Sequence, residues 1–174
     1  MCHVAGGLKM DQDMIRARER NLKEVLAGKQ ADPLELAAAL YEAAWQQDIE
    51  AVRFILGAGV DVNQFLDEAH GTALHVAIEQ DNLEITQMLL DAGADPNTMS
   101  YGCTAVQHAV DITCDGAWQA GEEPTLDLIR LLISRGADPE RQNQFGKSAR
   151  DWARQYAYQD ALDLFDTVPP DPSE

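Results

Sequence analysis

Catalysis or metal binding in this chain would have to begin from a short list of side chains. There are four histidines (His3, His70, His75, His108) and three cysteines (Cys2, Cys103, Cys114). Cys103, His108 and Cys114 come nearest to a ligand set, because thiolate and imidazole both suit zinc. Their spacing matches no familiar zinc pattern, and no second cysteine pair is present. No glycine loop of the phosphate-cradling kind appears, and no serine sits in a nucleophile elbow. Acid–base chemistry needs two carboxylates in distinct settings, but the chain has 30 acidic residues, so no single pair stands out. Three cysteines are too few, and odd in number, for a disulfide scaffold, and they read as free thiols in a reducing compartment. The expectation is a non-enzymatic protein with no catalytic residues, no metal and no cofactor.

The carboxylates carry more information as a field than as catalysts. Against them stand 13 basic residues, for a net charge of −17. From Met1 to Gln30 the balance is six basic to four acidic, whereas Ala31 to Asp127 holds eighteen acids and one base, Arg53. Leu128 to Arg154 swings back to six basic and three acidic, and the tail from Gln155 carries five acids alone. So long a stretch with a single cation makes a strong negative potential. Nucleic acid and anionic membrane both require cationic surface, so neither is the expected partner. A basic protein is. No apolar run is long enough to span a bilayer and Met1 to Gln30 has no secretory apolar core, so the chain is expected to be cytoplasmic, and a monomer on its own.

Repeats then decide which elements position these groups. Three segments align: Gly57-Ala58-Gly59-Val60-Asp61-Val62-Asn63, Asp91-Ala92-Gly93-Ala94-Asp95-Pro96-Asn97 and Ser134-Arg135-Gly136-Ala137-Asp138-Pro139-Glu140. Ahead of each lies a run with apolar residues at steps of three and four, the mark of a helix with one buried face: Ile49–Leu56, Leu83–Leu90 and Leu126–Ile133. Glycine just past each run suits the left-handed residue that ends a helix. A second signal opens the following helix: Thr72-Ala73-Leu74-His75-Val76-Ala77, Thr104-Ala105-Val106-Gln107-His108-Ala109 and Ser148-Ala149-Arg150-Asp151-Trp152-Ala153. Its threonine or serine can cap the orphan amides, and its later alanines let a neighbouring helix approach closely.

These residues resemble the ankyrin-repeat family, whose unit of about 33 residues contains T-P-L-H-x-A. Thr72 to Ala77 differs from that motif only in alanine for proline. Gly59 and Gly93 are 34 residues apart, near the family period, whereas Gly93 and Gly136 are 43 apart and imply an insertion. The resemblance implies an all-α solenoid of helix-turn-helix units with hairpin-like loops. Its expected organisation is a capping helix within 1–30, repeats at about 31–63, 64–97, 98–140 and 141–165, and a flexible acidic tail over 166–174. The insertion, Thr113 to Thr125, is expected to be a loop that puts roughly eleven extra residues where the family has a short turn, and loops of this length are often functional or disordered. His75, within the motif, takes the family's structural hydrogen-bonding role.

The resemblance also implies where a partner binds, on a concave face built from the first helices and on the hairpin tips. It puts Trp45, Glu79, Asp111 and Gln155 at one helix position of that face, and Gln46, Gln80, Ile112 and Tyr156 at the next. Phe65, Glu68, Tyr101 and Phe145 fall at hairpin tips, and Trp118 lies in the insertion. Aromatic anchors within an acidic rim are what a protein interface would need. Function is therefore expected to be protein–protein interaction with a basic partner. Two narrower alternatives are an immunity-type inhibitor of a basic toxin or nuclease, and a host-directed bacterial effector.

Overall fold

The computed structural model describes residues 32–66, 71–100 and 102–168, so the expected capping helix within 1–30, the tip residues Glu68 and Tyr101, and the tail beyond Val168 lie outside them. Contacts divide the chain into an N-terminal unit ending at Asp95 and a C-terminal unit beginning at Pro96.

In the N-terminal unit, helix α1 (Pro33–Trp45) starts where Asp32 accepts the Leu34 amide at 2.8 Å, with proline at the position that lacks an amide partner anyway. Helix α2 (Ile49–Gly57) is capped by Asp48 and α4 (Leu83–Asp91) by Asn82, each accepting a main-chain amide at 3.0 Å. Between them, α3 (Ala73–Glu79) begins differently. The Thr72 hydroxyl bonds His75 Nδ1 at 2.9 Å instead of an amide, which is the structural role expected of that histidine. α1 packs on α3 and α2 on α4, around Leu40, Val52, Ile55, Leu74, Ile85 and Leu89. Each helix pair is closed by a residue in the left-handed region that is not glycine: Gln47 at φ 57° and Asp81 at φ 50°.

In the C-terminal unit, a two-stranded antiparallel hairpin, β1 (Met99–Ser100) and β2 (Cys103–Thr104), leads into α5 (Ala105–Ala120). Then come α6 (Asp127–Ser134), α7 (Ala149–Gln155) and α8 (Gln159–Phe165). Thr104 and Ser148 each form a reciprocal capping box, with Gln107 and Asp151. Ala109, Ala153 and Ala161 are fully buried where helices meet. The fold is all-α, with the hairpin as the one sheet among the described residues.

The expected loop over 113–125 is corrected here: Thr113 to Ala120 is helix. At the position where Gln47, Asp81 and Ala157 (φ 54°) turn the chain, Thr113 stays helical and buried. α5 therefore runs about two turns further, until Gly121 adopts φ 69°. Only there does a short connection, 121–126, lead to α6. Gly116 lies inside this stretch, but glycine in a helix costs only about 1 kcal/mol, which the remaining helix formers offset.

A repeated bond joins successive turns within each unit. Asn63 donates to the Gly93 carbonyl at 2.9 Å and accepts the Asp95 amide at 2.8 Å. Asn97 does the same to Gly136 and Asp138, both at 2.8 Å. In the next such turn Glu140 replaces asparagine and pairs with Arg150, which also holds Asp166 at 2.5 Å and lies over the Phe165 ring. Gln107, fully buried, accepts the Thr104 amide and donates to the carbonyls of Lys147 and Arg141, tying α5 to the loop ahead of α7.

Candidate partner-binding site

The extension of α5 makes one wall of a groove of about 670 Å³, and the α7–α8 turn makes the other. Two bonds set the spacing of these walls. The Tyr156 phenol donates to Asp111 Oδ1, and the Tyr158 phenol donates to the Thr125 carbonyl at 2.7 Å, with Pro124 at 3.3 Å. Tyr158 is buried and carries the connection over 121–126 against the turn. Burial raises the phenol pKa of both tyrosines, and the charge of Asp111 raises that of Tyr156 further, so both stay protonated donors.

The lining charges are all negative: Asp115 on α5, Glu122 and Glu123 in the connection, and Asp160 on α8. The rings are Trp118, Tyr156 and Tyr158. Trp118 is 81% exposed, on a turn of helix that faces water. The Cys114 thiol at the base is pushed up to about 11 by burial and then by the Asp111 carboxylate. It is accordingly a poor nucleophile at neutral pH. On the preceding turn of α5, burial drives His108 down to about 4, with Asp111 pulling only partly the other way, so it is a neutral imidazole at pH 7. Among the described residues Cys114 is a free thiol. Among the described residues no cluster of three His, Cys, Asp or Glu side chains is placed to hold a metal.

Of the thirteen residues expected to meet a partner, Glu68 and Tyr101 lie outside the described residues, and the other eleven are divided between the two units. Trp118 and Tyr156 share the groove, and Asp111 is joined to Tyr156. Asp111 is buried, at 7% exposure, and accepts the Tyr156 phenol. Ile112 is half-buried on the same helix, and Phe145 stands 74% exposed in the loop before α7. In the N-terminal unit Trp45, Glu79 and Gln80 are half-buried, while Gln46 and Phe65 are exposed, with Gln46 donating to Glu42 at 2.5 Å. The rim carboxylates and Tyr158 were missed by sequence reasoning. So were Asn63 and Asn97, although their recurrence at the end of two matching turns is a signal that was on view.

Paired helices, left-handed glycines behind α2, α4 and α6, and asparagines that tie one turn to the next define a helical repeat protein. Ankyrin repeats, in three copies, match residues 21–116, more than half of the chain, and the chain belongs to the ankyrin-repeat family. No curated protein matches it. Ankyrin repeats are protein–protein interaction modules and are generally not catalytic. No helix among the described residues is long and apolar enough to cross a membrane.

Proposed function

We propose that this protein binds a basic partner protein, drawn in by its field and held by apolar anchors, with four repeats over 31–165 as the binding domain. The observation that carries the reading is where the charge sits. Of the sixteen described carboxylates between Asp32 and Asp127, twelve are exposed to solvent, against one base, Arg53. Charge arranged in this way accelerates encounter with a cationic surface and repels nucleic acid and anionic lipid. An inhibitor of a basic enzyme is the narrower form of the same reading.

Capture at graded salt tests it. The immobilised protein is expected to retain one basic protein at near one-to-one stoichiometry, released only at high salt. Loss of everything retained at modest salt, with abundant basic proteins predominating, would show that the acidity serves solubility alone. The activity of the retained protein, with and without the chain, then decides whether binding inhibits.

A further inference from the structure

The groove between the α5 extension and the α7–α8 turn lies at a place where the other helix pairs have only a tight turn. We propose that it is the docking site for an arginine-bearing segment of the basic partner, the guanidinium stacking on Trp118 and pairing with the carboxylates of the connection. The proposal rests on the basic-partner reading and gives it an address.

Three observations favour this occupant. First, the lining is one-signed, with four carboxylates and no cation, so a basic segment is attracted and an acidic one repelled. Second, a large indole lies 81% exposed on the rim of that lining. An exposed ring beside carboxylates suits a guanidinium, which stacks on aromatic faces, is weakly hydrated and forks onto carboxylate oxygens. Third, the site is already built. Tyr158 holds the connection by its main-chain carbonyls and Tyr156 is fixed on Asp111, so little order remains to be imposed when a ligand enters. The hydrogen bond between Gln119 and Asp115, at 3.0 Å, orients a rim carboxylate on the same helix face. The extension carries Trp118 into water on turns of helix that the corresponding pairs lack, and a docking role accounts for that departure.

The probe is an end-capped Gly-Arg-Gly-Arg-Gly peptide titrated into the isotope-labelled full chain, with a Glu-for-Arg peptide as control. Saturable shifts are expected at the Trp118 indole and over the amides of 156–160, and none with the control. Trp118→Ala should weaken binding about tenfold, as loss of a partly desolvated cation–ring contact does. Glu122→Gln with Glu123→Gln should weaken it several-fold and flatten its salt dependence. All three positions are exposed, so an unchanged melting temperature verifies that the variants fold. If the arginine peptide shifts other acidic surfaces and Trp118→Ala leaves its affinity intact, the groove is overturned while the basic-partner reading survives. If it binds nowhere at millimolar concentration, both fall. Equal binding of the glutamate peptide at the groove would overturn the charge argument itself.

Discussion

Acidification should weaken this fold through His108, by an amount that follows from its burial. The imidazole is neutral in the folded state, with its pKa lowered to about 4, whereas in an unfolded chain it titrates near the ordinary 6.5. The unfolded state therefore binds the proton first, and stability present above pH 6.5 is lost as pH falls toward 4. Between pH 7.5 and 5.0 the linkage relation gives a loss of about 2 kcal/mol from this one group. In urea that corresponds to a midpoint lower by about 1 M. Carboxylates titrating over the same range change the repulsion within a chain of net charge −17, so the wild-type slope alone is ambiguous. The informative quantity is the difference between wild type and His108→Gln, which keeps a polar side chain but cannot titrate. Urea unfolding of both proteins at the two pH values isolates it. Parallel losses would refute the reasoning, and a wild type that gains on the variant at pH 5.0 would mean that the histidine is charged in the fold.

Gln107→Ala removes a fully buried amide that serves a helix cap and two loop carbonyls, and should cost about 2–3 kcal/mol by denaturant unfolding. Asn97→Ala breaks both bonds to the 136–138 turn and should cost about 1–2 kcal/mol, with faster amide exchange at Asp138 as its local signature. Ala157→Gly should act the other way: relieving an alanine held at φ 54° is expected to raise stability by about 0.5–1 kcal/mol, read as a higher melting temperature.

The helices that sequence reasoning located best are those whose signals are local. α2, α4 and α6 begin and end within about one residue of the spans read from apolar spacing, because each is amphipathic over its whole length and closed by glycine. α5 was misjudged because its ending depends on one residue failing to turn. Gln47, Asp81 and Ala157 adopt the left-handed region despite their side chains, so no glycine marks that turn in the sequence, and its absence at Thr113 was equally unmarked. The placement of Asp111 was illegible for another reason. It is set by a tyrosine 45 positions later, and such pairings leave no trace in a local pattern. His75 was readable because its partner, Thr72, lies one helical turn away inside a single motif.

The two asparagine clamps have a consequence for what this chain can become. Asn63 reaches a carbonyl 30 residues ahead and Asn97 one 39 residues ahead, yet both make the same pair of bonds at nearly the same lengths. The seam between neighbouring turns is thus indifferent to how much polypeptide is spooled out between its two halves. A lineage, or an engineer, can lengthen α5, shorten it, or exchange its projecting tip for another peptide, and the turns will still latch. In that sense the projection is a socket on a standard rail. New specificities can be tried there while the scaffold that carries them stays the same.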